Sequence, residues 1–440
     1  MFAVLAESPG FRLPCRPMQF LHAADIHLDS PLTGLSSRGS VPLHVVQHCT
    51  RRAFANVVDL AIARDVAFVV IAGDLYDADW RDYSTGLFFA HEMRRLNRPC
   101  FIIRGNHDAR SVITRSLVPP PNVHEFSHRK AETVQLDELR VALHGRSFPD
   151  RAVPEDLSAL YPDPVKGRLN IGILHTSADD PGEHETYAPC TLPSLIAKGY
   201  DYWALGHIHG RREVHQGNPW IVFPGNIQGR HVRETGAKGV TLVDVHDGRI
   251  TAIAHHTTDV LRWASLPIPL DGAETMSEIS ARLRFELTAA LEAAGGLPLI
   301  ARIILRGRTD RHAELAADFQ AIEAECRNAA ASVSGSLFIE NVRLETSPVT
   351  RRPELDGSAA GLLEEAFLQA LEDPDIQKLL LEDYKTLAGQ VPPATGRDTR
   401  ALPKTIDDLR ALAPEAWHMV AQALSNEAAS NGAAPNATAL

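Results

Sequence analysis

Short apolar runs alternate with loops and amphipathic segments between Gln19 and about Val260, and each run ends in polar residues. The runs are FLHAAD, AFVVIAGD, CFIIRGNHD, LNIGILHTS and YDYWALGHIHG. Fully apolar strands are typical of a sheet that is covered on both faces, with functional residues at the strand ends. The segments Val45 to Ala63 and Thr85 to Leu96 have apolar residues at helical spacing and are predicted to cover the sheet. The pattern therefore predicts an α/β domain over residues 19–258.

The pattern changes toward the end of this domain and beyond it. The stretch WIVFPGNIQGRHVRETGAKGVTLVDVHDGRITAIAHHT predicts a set of antiparallel strands with a turn at Asp247-Gly248. Residues 259–348 then alternate strand, helix, strand, helix and strand, which predicts a small α+β domain. In residues 349–426, GLLEEAFLQALED, IQKLLLEDYKTLAG and IDDLRALAPEAWHMVAQAL are predicted helices. Residues 427–440 are a predicted disordered tail. Residues 1–18 are an N-terminal extension, and Met18 is a candidate for the true start because the first strand begins just after it.

Composition restricts the class of protein. The chain has 440 residues, of which 44% are apolar and 22% are charged, as in an ordinary globular protein and unlike a disordered, collagen-like or coiled-coil one. The 44 Lys and Arg residues against 55 Asp and Glu residues give a net charge of -11. A bulk field of this sign does not attract polyanions, so any contact with nucleic acid must be local.

Cysteine usage and hydropathy indicate the compartment. The cysteines are widely spaced and form no CxxC pair, at Cys15, Cys49, Cys100, Cys190 and Cys326. This disfavours a disulfide framework and a thiolate zinc site, and we expect a reducing cytoplasm. No apolar run approaches the roughly 18 residues that span a bilayer, so no membrane role is expected. The opening residues lack the basic region of a secretory signal.

Polar signatures follow the predicted strands in order along the chain. They are Asp25-Ile26-His27, Gly73-Asp74, Gly105-Asn106-His107-Asp108, His175 and Gly206-His207-Ile208-His209. Taken singly, each has an ordinary structural explanation: Asp25 could cap a turn, Gly73-Asp74 could be a sharp bend, and His27 or His175 could be a satisfied core histidine. Taken together they indicate a chemical site, because no packing requirement places carboxylates, an amide and imidazoles at consecutive strand ends.

In this order the signatures resemble the calcineurin-like metallophosphoesterase superfamily, over Phe20 to Arg230. The segments FLHAADIHLDSPL, AGDLYD, RGNHD and PGN-QGR-H-RETG-KG are most similar to the DNA repair exonuclease branch, which contains SbcD and the YhaO-type proteins. The resemblance implies a two-sheet αββα sandwich, followed by a small α+β capping domain and a helical C-terminal segment. It also implies manganese-dependent cleavage of DNA, an SMC-like coiled-coil ATPase as partner, and dimerisation of the chain.

The resemblance also implies a ligand set for two divalent metal ions. Asp25, His27 and His209 would hold the first ion, and Asn106, His175 and His207 the second. Asp74 is the candidate bridge, because two ions about 3.5 to 4 Å apart need a shared carboxylate. Imidazoles and carboxylates together suit Mn, Fe or Zn better than Mg. By the same resemblance His107 is not a ligand. A histidine with an acidic neighbour can give a proton or electrostatic help to the leaving group, so His107 is the candidate for this function and Asp108 would orient it.

The segment from Pro224 to Gly239 is rich in Gly, Arg and Lys, which suits a loop that holds phosphates. Arg230, His231, Arg233 and Lys238 are candidate substrate contacts, with ordinary solvated charges as an equally weighted alternative. The other histidines, among them His22 and His144, are predicted surface or strand residues. Trp203 and Trp220 are predicted core or strand residues rather than platforms for base stacking.

The residues at the strand ends are compatible with three functions. The leading hypothesis is a two-metal phosphodiesterase that acts on DNA ends, in which a hydroxide formed between the ions attacks the phosphodiester and His107 assists the leaving group. The second is a phosphodiesterase or phosphatase for small molecules or phosphoproteins, since the same metal cluster serves these substrates. The third is a scaffold subunit without catalysis, which the full set of ligand types and His107 disfavour. The Leu-rich face of Gly361 to Leu387 is either a docking site for a partner or an ordinary helical hairpin.

Overall fold

A computed structural model describes most of the chain, and its residues fall into two compact units. The described residues are 17–35, 41–77, 82–110, 118–150, 153–178, 188–272, 275–349, 359–390, 405–413, 416–417 and 420. The first unit contains the chain up to Leu266 together with Leu283–Ile303 and Cys326–Val342. The second unit contains Pro267–Arg282, Ile304–Glu325 and the residues from Arg343 onward. The predicted disordered tail, and all but the last two residues of the predicted N-terminal extension, lie outside the described residues.

Strands make up most of the regular structure before residue 270. The strands are β1 (Met18–Ala23), β2 (Phe68–Ala72), β3 (Cys100–Ile103), β4 (Val123–Glu125), β5 (Glu132–Leu136), β6 (Val141–Gly145), β7 (Leu169–His175), β8 (Tyr202–Gly206), β9 (Arg212–His215), β10 (Trp220–Phe223), β11 (Gly239–His246), β12 (Arg249–Thr257), β13 (Arg262–Pro269), β14 (Leu299–Arg308) and β15 (Leu337–Ser347). The helices are α1 (Leu43–Val46), α2 (Cys49–Ala63), α3 (Tyr83–Leu96), α4 (Leu192–Ala197), α5 (Met276–Ala293), α6 (His312–Ala317), α7 (Phe319–Val333), α8 (Ala359–Glu372) and α9 (Pro374–Gln390). Residues 406–413 are also helical.

Two six-stranded sheets form the core of the first unit. Their strand orders are β12-β11-β1-β2-β3-β4 and β5-β6-β7-β8-β10-β9. The central strands of each sheet are parallel, whereas β11, β12, β5 and β9 pair antiparallel at the edges. Phe20 and Phe68 of the first sheet pack with Ile171 and Tyr202 of the second in one buried cluster. The sheets therefore lie face to face, as the predicted sandwich requires.

Helices and loops cover the outer faces of the sandwich. Helices α2 and α3 supply Phe54 and Phe89 to a cluster that buries Val69 and Ile71 on the outer face of the first sheet. The outer face of the second sheet is covered by the region that contains α4, where Trp203 is fully buried. This layer order confirms the predicted αββα fold, in which all residues of β2 and β7 are buried.

Three details differ from the sequence prediction. The helix predicted over Val45 to Ala63 is divided into α1 and α2, because His48 adopts a left-handed conformation with φ 53° between them. The strand at Trp220 was predicted to be antiparallel with its successors, but β10 pairs parallel with β8 and belongs to the second sheet. The last predicted helix of the α+β region is divided into α6 and α7 at Asp318.

The predicted turn at Asp247-Gly248 is confirmed, since both residues have positive φ as a tight hairpin between β11 and β12 requires.

The C-terminal half contains the predicted order of strands and helices. Strands β13, β14 and β15 form a three-stranded sheet in that order, and α5 and the pair α6 and α7 connect them in sequence. Helices α8 and α9 follow as predicted. In the part of the chain that is described, no helix is long and apolar enough to cross a bilayer.

His22 is a fully buried histidine that does not belong to the predicted ligand set. It lies in β1 with no exposed surface, and its Nδ1 atom is 3.0 Å from the hydroxyl of Tyr202 in the opposite sheet. Burial lowers the pKa of His22 to about 3, although a hydrogen bond to the backbone of Leu205 opposes the shift. The imidazole is therefore neutral in the folded protein at any pH near neutrality.

This burial predicts how stability responds to acid. Below pH 6.5 the unfolded chain binds a proton at His22 that the folded chain excludes, so the free energy of unfolding falls as the pH decreases from about 6.5 toward 3. At pH 5 the loss from this one residue amounts to about 2 kcal/mol relative to pH 7.5. We expect metal-free His22→Gln to lose less stability than the wild type between these two pH values, as measured by urea unfolding with tryptophan fluorescence. Gln replacement of the exposed His246 is the matched control, and equal pH dependence in all three proteins would contradict the prediction.

Candidate metal centre

The predicted polar signatures meet at one edge of the sandwich. Asp25 follows β1, Asp74 follows β2 and Asn106 follows β3, while His175 ends β7 and His207 follows β8. These strands are parallel neighbours within the two packed sheets, so their carboxyl ends lie side by side. The fold thus brings together side chains that are far apart in the sequence.

Glycines allow this close approach of the strand ends. A Cβ atom on Gly206 would overlap the carbonyl oxygen of Ala72 on the opposite sheet, and one on Gly105 would overlap the Asp74 carboxylate. A Cβ atom on Gly73 would lie 2.5 Å from His175 Nδ1, and Gly73 also has φ +93°. Real Cβ atoms do not approach other atoms so closely, so only glycine fits at these positions.

The backbone turns sharply at the predicted ligands. Asp25, His27 and Asp74 have φ values of 50°, 45° and 52°, and His207 has φ 105°. Such conformations cost about 1–3 kcal/mol each and persist only where surrounding contacts enforce them. Here the amide of Asp25 donates to Gly73 O at 3.1 Å, that of His27 donates to Asp74 O at 3.0 Å, and that of His207 donates to Asp25 Oδ1 at 3.0 Å. The loops after β1, β2 and β8 are therefore joined to one another.

The predicted ligands and the neighbouring His107 form overlapping clusters of the size that a metal ion needs. Within each cluster the potential ligand atoms lie within 4.8 Å of one another: Asp25, His27 and His209; Asp25, Asp74 and His175; His27, Asp74 and His107. The first cluster is the predicted first ion site. Asp74 occurs in both of the others, with its Oδ2 atom 3.8 Å from His27 Nε2 and 3.5 Å from His175 Nε2. This position suits the predicted bridge.

The remaining predicted ligands lie beside His175. Asn106 Oδ1 is 2.9 Å from His175 Nε2, and the rings of His175 and His207 meet edge to face at 5.3 Å. All the predicted ligand side chains thus converge, and most of them are buried.

The hydrogen bonds of the imidazoles fit cation binding. His209 Nδ1 donates to Glu234 Oε1 at 2.6 Å, so in the neutral ring Nε2 carries the lone pair. That Nε2 atom lies 3.2 Å from His27 Nε2. His175 Nδ1 donates to the carbonyl oxygen of Ala72 at 2.9 Å, so its Nε2, which faces Asn106 Oδ1 at 2.9 Å, carries a proton in the charged ring and a lone pair in the neutral ring. Two acceptor atoms at these distances repel each other unless a proton or a cation lies between them. Imidazole, carboxylate and amide groups are suitable ligands for a first-row divalent ion.

The same carboxylates shift the proton equilibria of the buried imidazoles. Burial alone would lower the pKa of His175, but Asp74 and Asp25 raise it to about 9. Burial also opposes ionisation of Asp74, whose pKa is nevertheless held well below its usual range by His175, His27 and His107. Asp74 is therefore an anion in this environment, as a bridging ligand must be.

His107 lies at the exposed side of the cluster, and its partner is not the predicted one. Its Nδ1 atom is 2.7 Å from Asp77 Oδ1, and about a third of its side chain is exposed. Burial lowers the pKa of His107, but the hydrogen bond to Asp77 and the charges of Asp74 and Asp77 outweigh this and raise it. The interpretation that Asp108 orients His107 is therefore wrong, and Asp77 orients it instead.

Asp108 has a different function in the fold. Its buried carboxylate accepts hydrogen bonds from the backbone amides of Leu75 at 3.0 Å, Tyr76 at 2.8 Å and Gly105 at 3.1 Å. Burial and the nearby Asp74 charge raise the pKa of Asp108 to about 7, despite these hydrogen bonds. These hydrogen bonds join the loop after β2 to the loop after β3.

The predicted substrate contacts separate into two groups. The Arg230 guanidinium lies beside the centre, 3.0 Å from Ser30 Oγ and 3.5 Å from Asp77 Oδ2, and His231 is half-buried with Nε2 3.5 Å from Glu234 Oε1. Arg233 is exposed. The suggestion for Lys238 is wrong, because its buried side chain donates to the carbonyl oxygen of His209 at 3.2 Å and so supports a predicted ligand from behind.

Two acidic residues of the centre were missed by sequence reasoning. Asp77 belongs to the segment AGDLYD and Glu234 to the segment RETG, and both segments were singled out for other residues. The sequence offers only a weak signal for them: Asp77 is an acidic residue close to a metal signature, and Glu234 is an acidic residue in the basic loop. Their partners His107 and His209 lie 30 and 25 positions away, so the pairing becomes visible only in the fold.

Comparisons with known proteins agree with this geometry. The family profile described as calcineurin-like phosphoesterase matches residues 18–211, and the profile described as metallophosphoesterase YhaO, middle domain, matches residues 263–347. The uncharacterized metallophosphoesterase YhaO of Bacillus subtilis (strain 168) is 34% identical over 297 residues, which is 66% of this chain and 72% of that protein.

More distant relatives carry the name DNA double-strand break repair protein Mre11. The protein of that name from Sulfolobus acidocaldarius is 25% identical over 284 residues, which is 59% of this chain and 69% of that protein. The one from Sulfurisphaera tokodaii is 27% identical over 261 residues, which is 55% of this chain and 63% of that protein.

The tight packing of the strand ends predicts the effect of a single methyl group. In Gly105→Ala the new Cβ must displace the Asp74 carboxylate or His175, so we expect Mn²⁺ affinity to fall about tenfold or more, and stability by about 1–3 kcal/mol. Mn²⁺ binding is measured by electron paramagnetic resonance of the free ion, and stability by thermal unfolding. Gly210→Ala is the matched control, because a Cβ there meets no atom within 4 Å although His209 is adjacent. Equal Mn²⁺ affinity of the two variants would contradict the assignment.

Proposed function

Because this chain belongs to the calcineurin-like metallophosphoesterase family, in the branch that contains YhaO and Mre11, we propose that it is a two-metal phosphodiesterase that cleaves DNA. The observation that carries the proposal is the position of the His107–Asp77 pair beside the clustered ligands. The likeness to proteins named for double-strand break repair supports DNA as the substrate.

The residues at the strand ends would hold two divalent ions. Asp25, His27 and His209 would hold one ion and Asn106, His175 and His207 the other, with Asp74 shared between them. When bound, such ions activate a water molecule and neutralise charge that develops on the phosphate. The mixture of imidazole, carboxylate and amide ligands suits manganese, iron or zinc better than magnesium, and the resemblance to the DNA repair exonuclease branch favours manganese among these.

His107 would supply a proton to the leaving oxygen. Its Nδ1–H group donates to Asp77, so Nε2 is the nitrogen that can give a proton to the substrate. The hydrogen bond to Asp77 raises the pKa of His107, which favours the protonated ring, and the exposure of the ring lets a substrate reach it. Asp77 would hold the ring in place and stabilise its protonated form.

Arg230 would bind a phosphate oxygen of the substrate. Its guanidinium lies between Asp77 and Glu234 and close to Ser30 Oγ, which fixes its direction. A guanidinium presents several N–H donors in a planar fork and is well suited to phosphate. We include His231 and Arg233 of the same loop as weaker contacts with the substrate.

The net charge of -11 supports a restricted mode of DNA binding. A protein with this charge repels the DNA backbone at long range, so attraction must come from the bound ions and from a few local cations such as Arg230. The predicted SMC-like coiled-coil ATPase partner and the predicted homodimer stay predictions. Exposed leucines on α8 and α9, at Leu362, Leu368 and Leu379, are compatible with a partner-binding surface.

The His107–Asp77 pair provides the test of the chemical step. We expect His107→Ala to lose about 10²-fold or more in turnover, the usual scale for a positioned acid, and Asp77→Asn to lose less. Both variants should keep two bound Mn²⁺ ions, because neither side chain belongs to the proposed ligand set. Asp65→Asn, which removes an exposed acidic side chain in the turn after α2, is the control. Unchanged turnover of His107→Ala would remove this residue from the mechanism.

The substrate is tested separately with the wild type and His107→Ala. Each protein is incubated with Mn²⁺ and end-labelled duplex DNA, single-stranded DNA or a chromogenic phosphodiester. Degradation of DNA that is lost in the variant would support a nuclease. Cleavage of the chromogenic diester alone would favour the alternative of a small-molecule phosphodiesterase, and cleavage of no substrate would favour the scaffold.

A further inference from the structure

We propose that Glu234 is a positioning residue that selects which ring nitrogen of His209 is available to a metal ion, and that it sets the direction of Arg230 through the same carboxylate. This inference rests on the proposed function, since it assigns His209 to a metal and Arg230 to the phosphate. It concerns a residue that belongs to no ligand signature in the sequence.

The first carboxylate oxygen of Glu234 contacts the imidazole. Oε1 accepts the Nδ1–H hydrogen bond of His209 at 2.6 Å. A neutral imidazole has one protonated nitrogen, so this contact places the lone pair on Nε2. Nε2 is the atom that lies 3.2 Å from His27 Nε2, in the cluster that also contains Asp25. The carboxylate thus presents the correct nitrogen to the metal centre.

The second oxygen holds the loop that carries Arg230. Oε2 accepts from the backbone amide of Arg230 at 2.6 Å and from Asn226 Nδ2 at 3.0 Å. The guanidinium of Arg230 also lies 3.7 Å from Oε1. The Glu234 side chain is only 5% exposed, so water competes little for these positions. All of the partners therefore depend on an acceptor at both oxygens.

The backbone of His209 is tied to the same loop by independent contacts. Its carbonyl oxygen accepts from the amide of Asn226 at 3.2 Å and from Lys238 Nζ at 3.2 Å. Glu234 is therefore not needed to keep His209 near the loop. Its specific contribution is to the ring: the orientation of the imidazole and the choice of its tautomer.

Two substitutions of Glu234 distinguish a positioning function from simple packing. The Gln side chain has one oxygen and one NH₂ group, so in Glu234→Gln an acceptor remains at only one of the Oε1 and Oε2 positions. Two donors hydrogen-bond to Oε2, whereas only His209 Nδ1 lies at hydrogen-bond distance from Oε1, with the Arg230 guanidinium and His231 Nε2 farther away at 3.7 and 3.5 Å. We therefore expect the amide oxygen to take the Oε2 position and the NH₂ group to face His209 Nδ1. Nδ1 must then accept, the proton moves to Nε2, and the ring can no longer offer a lone pair to the metal. In Glu234→Ala a water molecule can accept from Nδ1, so the original tautomer stays accessible.

The expected result is that the isosteric variant binds metal more weakly than the truncated one. We expect the weaker Mn²⁺ dissociation constant to rise about 10- to 100-fold in Glu234→Gln, the usual range for a residue behind a metal ligand, and less in Glu234→Ala. Mn²⁺ binding to the full chain is measured by electron paramagnetic resonance of the free ion. Side-chain ¹⁵N NMR of the metal-free, histidine-labelled protein should show His209 protonated at Nδ1 in the wild type and at Nε2 in Glu234→Gln.

Glu340→Gln is the matched control, because Glu340 is similarly buried and its carboxylate pairs with Arg302 at 2.9 and 2.7 Å. It should bind Mn²⁺ like the wild type. Stronger loss in Glu234→Ala than in Glu234→Gln, or an unchanged His209 tautomer in Glu234→Gln, would mean a packing role and would overturn the inference. A wild type that binds no Mn²⁺ would overturn the proposed metal centre itself. Two tight Mn²⁺ ions in the wild type and in both Glu234 variants would overturn only the inference about Glu234.

Discussion

The closeness of the strand ends at one edge of the sandwich is the constraint on which the rest of the centre depends. Gly206 of one sheet passes so near to Ala72 of the other that no side-chain atom fits between them, and Gly105 has no more space beside Asp74. Only this approach lets carboxylates and imidazoles from both sheets reach the same small volume. The apolar cluster between the sheets, which includes Phe20 and Phe68, supplies the burial that holds the edges together.

A group of acidic side chains surrounds the predicted ligands and determines how they are held. Asp77 orients His107, Glu234 orients the ring of His209, and Asp108 binds the backbone of the loops after β2 and β3. Each acts through a hydrogen bond that fixes a ring or a loop. The sites for binding, for proton transfer and for substrate contact thus share one connected hydrogen-bond network, and Arg230 joins two of these carboxylates.

The strands and the ligand positions were accessible from the sequence, because a buried strand ends where its apolar run ends. The order of strands and helices and the position of the polar residues at the strand ends follow from that local signal, whereas the two-sheet sandwich and the ligand set that includes Asp25, Asp74 and His175 were implied by the resemblance to the metallophosphoesterase superfamily. Pairings between distant segments were not accessible. The pairing of β10 with β8 depends on the crossover between them, and the break at His48 depends on a single backbone angle. Asp108 was assigned to His107 because they are adjacent in sequence, but its carboxylate binds the backbone of the loops after β2 and β3.

The separation of Asp77 from His107 in the sequence affects how genes for such proteins are interpreted. Searches that score the ligand signatures would accept a copy in which every ligand is kept and Asp77 is lost. In such a copy the imidazole of His107 would lose its anchor while the metal-binding residues stayed intact. The carboxylates at 77 and 234 therefore carry information that the ligands alone do not, namely whether the rings of His107 and His209 keep their hydrogen-bond partners.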